Sequence, residues 1–401
     1  VNQNTVWAIA YDASGNDSTI QEFTKTVDGG VTWTPGTING SNGFFPNSIF
    51  ALNKDTAWVT MFHPDTDGGR VMRTNDGGIS WTHQSTAIYS AATGAYPNMV
   101  YFWNENEGFC MGDPNNGSFE IYTTNNGGAL WTRVNAANMP ALRSGDYGYE
   151  GEFTVVGDHL YFGTKEGVVY KTKDKGKTWS ELVTPLASNN GRVRICEFRD
   201  TLNGIVADRK NNVFVMYSTD DGGATWDSIS PTGPVYGKDL HYIKGTWKTY
   251  ISTGSAPGVS GASISVDGGL NWIDISSTPG EKYEVVGFPN EKGGWAGQFT
   301  QSATVGGIAK FTGKTIGLSK ASADNMWTVF PNPSSGHFVI AGLNGQAANE
   351  LRVYSINGMQ VYSQTNLQTP INLDLTNLPS GVYLLQLDHS ATSEIHRLII
   401  Q

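Results

Sequence analysis

TVDGGVTW (26–33), TNDGGISW (74–81), TNNGGALW (124–131), TKDKGKTW (172–179), TDDGGATW (219–226) and SVDGGLNW (265–272) are six copies of one octapeptide. The shared pattern is Ser/Thr-x-Asp/Asn-x-Gly-x-x-Trp. Its third position is Asp28, Asp76, Asn126, Asp174, Asp221 and Asp267, and its last is Trp33, Trp81, Trp131, Trp179, Trp226 and Trp272. The copies start at 26, 74, 124, 172, 219 and 265, so the period is 46 to 50 residues. A repeat of this length is the mark of a propeller or a solenoid. Each copy reads as a turn. An Asp or Asn side chain closes a turn by accepting from the backbone N–H two residues on. The second glycine supplies positive φ, and the Trp buries its ring between neighbouring sheets. On this reading the aspartates are structural and not catalytic.

The rest of the period repeats as well. Strand-like runs such as VMRT, EIYTT and VVYKT precede the octapeptide, with AWVTMF, GFCMGD and LYFGT before them. SIFALN, MVYFWN and EFTVVG come earlier still. Four short strands per unit make one propeller blade. The count is seven blades, with six as the alternative, and the first blade lacks an innermost strand. The composition agrees: 49 glycines, 11% aromatic and only 15% charged residues suit short strands and tight turns, so the class is all-β.

After residue 318 the repeat stops. SKASADNMW reads as a linker over 319–328. Residues 329–401 carry alternating strands, FPNPSSGHFVI (330–340), LRVYSINGMQVYS (351–363) and INLDLTNLPSGVYLLQL (371–387), separated by Pro and Gly turns. Asn357-Gly358 is a tight-hairpin signal, and the segment is expected to be a small Ig-like β-sandwich. The expected domains are therefore a propeller (1–318), a linker (319–328) and a sandwich (329–401).

The octapeptides resemble the Asp-box, or BNR, repeats of sialidases, xyloglucanase-type glycoside hydrolases and sortilin-like receptors. The GWA-like strands alternating with T-x-DGG-x-x-W hairpins are also similar to the photosystem II assembly-factor propellers. This resemblance implies a fold and not an activity, because one box serves enzymes and binders alike. The C-terminal segment resembles the type A sorting domain of the type IX secretion system of Bacteroidetes. The likeness lies in Pro331-Asn332-Pro333 with Gly336, the VYSINGMQV hairpin and the LPSGVYLL run from Leu378 to Leu385. It implies export by that translocon, and a protein secreted or held at the cell surface.

Several function classes are disfavoured. A net charge of −10 argues against a nucleic-acid binder. No run of 18 apolar residues is present to span a membrane. Val1 opens directly into a strand-like run, as a mature or trimmed chain would. The two cysteines, Cys110 and Cys196, sit in apolar runs and read as buried thiols. An ordinary sialidase needs three arginines clamping a carboxylate, the first before the first box, and no arginine precedes Arg70. Xyloglucanase-type enzymes use two propellers, and this chain has length for one. No metal site is read. Calcium on the acidic loops Asp12–Asp17 and Asp65–Gly69 is a weak cofactor candidate, since neither matches a full binding loop.

A ligand is expected on the face opposite the boxes, where loops between blades meet the channel mouth. The long loops at 84–98 and 134–151 bring Tyr89, Tyr96, Arg143, Tyr147 and Tyr149 there. Inner strands add Arg192, Arg194, Asp239 and His241. Glu150, Glu152, Asp113 and Asp208 are the candidate catalytic carboxylates, because glycoside hydrolysis needs two such groups flanking the bond. The first expectation is a non-catalytic protein presenting this face to a glycan or protein partner. The alternative is a glycoside hydrolase or lyase using those carboxylates.

Overall fold

The computed structural model describes all residues except 11–19, 65–67, 91–95, 211–212, 303–304, 313–326, 343–348, 356–358, 366, 369 and 390–391. The acidic loop at 12–17, residues 65–67 of the second acidic loop, the Asn357-Gly358 turn and most of the linker lie outside the described residues. The fold is all-β. It forms two compact units, one of residues 1–244, 251–264 and 272–313, the other of 245–250, 265–271 and 314–401.

Up to residue 310 the described strands form seven successive antiparallel sheets. The first has three strands, Val6–Ile9, Glu22–Thr26 and Thr34–Thr37. The next five have four each, beginning at Phe45–Ala51, Pro97–Phe102, Gly148–Val156, Ile195–Phe198 and Asp239–Tyr242. The seventh has three, Tyr283–Asn290, Gly293–Ser302 and Val305–Lys310. Every box lies in the turn between the last two strands of its sheet. Thus the first sheet is short of an inner strand and the seventh of an outer one.

Within each box the hydrogen bonds run further than a two-residue turn. Thr32 N donates to Asp28 Oδ1 at 2.9 Å and Ser80 N to Asp76 Oδ1 at 3.0 Å, each four residues on. This corrects the expectation of a two-residue closure. The opening hydroxyl does the rest: Thr74 Oγ1 donates to Asp76 Oδ1 and accepts from Gly78 N, both at 2.9 Å. Asn126 performs the same task, accepting from Leu130 N at 2.9 Å. The second glycine holds φ +84° to +94° in all six boxes. At Gly78 a Cβ would stand 2.2 Å from the Phe23 ring, so side-chain loss and backbone freedom are both required there. Trp81, Trp131, Trp179 and Trp272 are buried, whereas Trp33 and Trp226 are only half-buried.

A cross-strand pair recurs between second and third strands: Trp7 opposite Lys25, Trp58 opposite Arg73, Tyr161 opposite Lys171 and Trp295 opposite Lys310. In each the cation lies over the ring, 4.6 to 5.3 Å from its centroid. Three of these lysines also donate to the box of the next sheet. Lys25 Nζ reaches Gly77 O at 2.8 Å and Lys171 Nζ reaches Gly222 O at 3.3 Å. Lys310 Nζ, in the seventh sheet, reaches Gly29 O in the first at 2.7 Å. Trp295 packs edge-on against Trp33 at 5.5 Å, much as Trp7 meets Trp81 at 6.5 Å. The contact between the last and first sheets is thus the one used between consecutive sheets elsewhere, and the ring closes on it.

In the second unit, strands Trp327–Phe330, His337–Gly342 and Ile371–Asp374 form one sheet. Gln360–Thr365, Glu350–Ser355, Gly381–His389 and Thr392–Ile400 form another. Trp327, Phe338 and Ile340 from the first sheet pack with Val353, Leu385 and Leu398 from the second in one core. Asn332, between two prolines, ties the last strand down: its Oδ1 accepts from Ile399 N at 2.9 Å and its Nδ2 donates to Arg397 O.

Candidate functional site

The inner strands present polar side chains toward one another, and most are used to join sheet to sheet. Asp239 accepts from Val286 N in the seventh sheet at 2.7 Å and from Leu240 N at 2.7 Å. Glu197 accepts from Tyr242 N at 2.8 Å and Thr154 Oγ1 at 2.7 Å, and Thr154 also donates to Cys196 O at 2.6 Å. Asp113 accepts from Asn98 Nδ2 at 2.7 Å and Gly148 N at 3.3 Å. A buried carboxylate needs such partners. These bonds hold one inner strand to the next where no β-ladder runs between sheets. Burial is the leading influence on Glu197, Asp239 and Asp113 and pushes each carboxyl upward.

The candidate carboxylates differ accordingly. Asp208 is buried and accepts from the backbone N–H of Arg192 (3.1 Å) and Arg209 (2.8 Å). Glu150 accepts the hydroxyl proton of Tyr96, and burial with that bond raises the tyrosine well above its ordinary range. Residues 149–152 form a bulge between the pairs Gly148–Thr164 and Phe153–Phe162, with Gly151 at φ +67°. That bulge carries Tyr149, Glu150 and Glu152. The Glu152 carboxyl makes no hydrogen bond among the described residues. Burial, then the negative charge of Asp239, holds it well above the usual carboxylate range, against the pull of Lys238 and Arg194.

Other candidates sort by environment. Tyr89, expected on the loop face, is instead in the core: it is buried and its hydroxyl donates to Cys110 Sγ at 3.3 Å and Glu120 O at 3.4 Å. Gly69 N, on the third strand of the second sheet, donates to Tyr89 O at 3.0 Å and ties this part of the loop to that sheet. Arg143 is committed to Glu181, with Nε at 3.2 Å from Oε2. Tyr96 stacks on Phe62, which stacks on Phe45. Tyr147 and Tyr149 meet edge-on at 5.7 Å. His241 Nδ1 lies 3.5 Å from Glu197 Oε1. Arg192 and Arg194 are exposed, and Arg194 stands 5.4 Å over the Tyr149 ring. No group of three or more His, Cys, Asp or Glu suited to a metal occurs among the described residues.

Between the fifth and sixth sheets lies a cleft of about 350 Å³, lined by Arg194, Asp208, Arg209, Tyr236, Lys238 and Val259 among others. Arg194 and Asp208 were legible in the sequence as loop-face residues. Tyr236 and Val259 were not, because neither lies in a motif. Glu197 was missed as well, although the run RVRICEF placed it on an inner strand.

Comparison with known proteins fixes the second unit. The family described as "Secretion system C-terminal sorting domain" matches residues 328–401. The C-terminal segment is a secretion-system sorting domain. A chain carrying the type IX sorting domain is secreted or displayed at the cell surface. No helix among the described residues is long and apolar enough to cross a membrane. Ahead of the sorting domain, residues 65–231 match the family "Photosynthesis system II assembly factor YCF48", and the first unit is a BNR-type β-propeller.

Among solved structures, "YCF48 bound to D1 peptide" is similar at 16% identity and TM-score 0.53, covering 77% of this chain and 89% of that one. YCF48 from Cyanidioschyzon merolae is similar at 15% identity and TM-score 0.46, covering 75% and 94%. The GH74 xyloglucanase from Xanthomonas campestris follows at 13% identity and TM-score 0.32, covering 98% and 68%. At these identities the likeness concerns fold alone. No curated protein matches the chain by sequence.

Proposed function

We propose that this secreted propeller is a binding protein that holds a glycan or protein partner on its loop face without chemical turnover. One observation carries the reading. Three of the four candidate carboxylates, Asp113, Asp208 and Glu150, are already occupied by hydrogen bonds from backbone N–H groups, Asn98 or Tyr96. Glycoside hydrolysis needs two carboxyl groups flanking the bond, one to donate a proton and one to attack or to activate water, and only Glu152 of the four is without a hydrogen-bond partner among the described residues. The YCF48 structure with a bound D1 peptide is one case in which a propeller of similar fold holds a partner.

The seven sheets are read as seven blades, joined from the seventh to the first through Lys310, Trp295, Gly29 and Trp33. The sorting domain, with its two sheets around one core, is read as an Ig-like sandwich addressed to the type IX translocon.

A second reading keeps one observation in its favour. A carboxyl pushed upward by burial, as Glu152 is, is shifted in the direction a general acid needs. On that reading the protein is a glycoside hydrolase. The test is to offer the full-length chain an array of bacterial, plant and host glycans, together with protein fractions, and to read retention and product release in parallel. Retention without products supports the binding reading. Released saccharide establishes the hydrolase.

A further inference from the structure

The cleft between the fifth and sixth sheets has a sign opposite to that of the chain. The chain carries a net charge of −10, yet Arg194, Arg209 and Lys238 line this one cleft with one carboxylate, Asp208, while Glu152 and Glu284 stand near Arg194 and Lys238 outside the lining. Both Asp208 oxygens are taken by backbone N–H groups. Arg209 is fixed by donating from Nη2 to Val235 O (3.1 Å) and Tyr236 O (2.9 Å) while it lies over the Phe214 ring. Lys238 pairs with Glu284 at 3.1 Å, an exposed contact of small worth. Arg194 differs from both. It is exposed, its guanidinium has no hydrogen-bond or ion-pair partner among the described residues, and the Tyr149 ring orients it from beneath. A guanidinium so placed presents a planar fork of donors suited to a carboxylate.

The walls narrow the ligand further. Tyr236 lines the cleft, and Ile195, Ala256 and Val259 supply apolar surface. At about 350 Å³ the cleft is at the small end of ligand sites. A peptide binding by strand addition would need a free strand edge to pair with. The strands Gly204–Lys210 and Tyr250–Ala256 that border the cleft are already paired on both sides. The overall negative charge disfavours a long polyanion lying across the face.

We infer that this cleft is a binding site for a carboxylated sugar residue, a uronate unit of a glycan, with Arg194 as the carboxylate's main partner and Arg209 and Lys238 supplying supporting charge. The inference rests on the binding reading above and names its ligand class.

The test is calorimetric titration of the full-length chain with oligogalacturonate and oligomannuronate, their methyl esters, matched neutral oligosaccharides and a triglutamate peptide. At least one acid oligosaccharide is expected to bind, at least about tenfold more tightly than its ester, with affinity falling as salt rises. Arg194→Gln, at an exposed position, is expected to lose about tenfold in affinity with an unchanged melting curve. Equal binding of acid and ester, no effect of Arg194→Gln, or binding of triglutamate with no acid oligosaccharide bound would each overturn the site. Retention of a neutral glycan or protein that ignores Arg194→Gln would overturn the cleft alone. Release of products would instead sink the binding reading on which it rests.

Discussion

The aspartates of the boxes are the clearest case of a residue whose chemistry is spent on its own turn. Hydroxyl and backbone donors from Thr32, Ser80 and Thr225 pull the carboxyls of Asp28, Asp76 and Asp221 down to about 2. The folded value lies below that of a free aspartate, so the ionised form favours folding. That contribution is in place above roughly pH 4 and disappears as the pH falls through about 2. Asp76→Ala should therefore lower the thermal midpoint at pH 6, and the gap to the parent should close as the pH approaches 2. A gap that stays constant across this range would show that the carboxylate's charge is irrelevant. Retained ligand binding per folded molecule is expected from the same variant, since the box lies on the opposite face. Residue type and spacing made this role legible. They could not separate Tyr89 from Tyr96, two tyrosines of one loop. One bonds Cys110 in the core and the other meets Glu150 at the channel, and that difference depends on how the loop folds back.

At the scale of elements, a lysine paired with an aromatic residue on the neighbouring strand binds the first sheet to the second, the fourth to the fifth and the seventh to the first. Trp131 is buried against Phe102, so Trp131→Ala should cost about 3–5 kcal/mol in urea unfolding. Trp33 is half-buried and its truncation should cost less. Equal losses would contradict the packing described. Lys310→Met removes both the ring contact and the bond to Gly29 O. A loss of about 0.5–1 kcal/mol is expected for an exposed contact of this kind. Loosening should concentrate at the junction of the first and seventh sheets, visible as faster amide exchange in residues 26–33. Strands and boxes were readable because period and turn chemistry are local. The Lys–ring pairing was not, because register between strands decides it. Asp239 was read as a ligand-binding candidate on an inner strand. Bonds such as Asp239 to Val286 N appear only once neighbouring sheets are in place.

For the whole molecule, the sorting domain directs delivery, and the propeller is proposed to do the recognition. Deleting residues 328–401 should leave the propeller inside the outer membrane of a type IX-secreting host, as read by cell fractionation. Appearance of the truncated chain in the medium would contradict the role of that domain. On the propeller the proposed function is binding without turnover, and Glu152 is the residue at which it can fail. The most direct measurement compares the parent with Glu152→Gln on every glycan that the parent retains, assaying retention and released saccharide side by side. Retention by both proteins and product from neither are expected, with binding of acidic glycans unchanged. Product released by the parent and abolished in Glu152→Gln would contradict the proposed function and make the channel an active site.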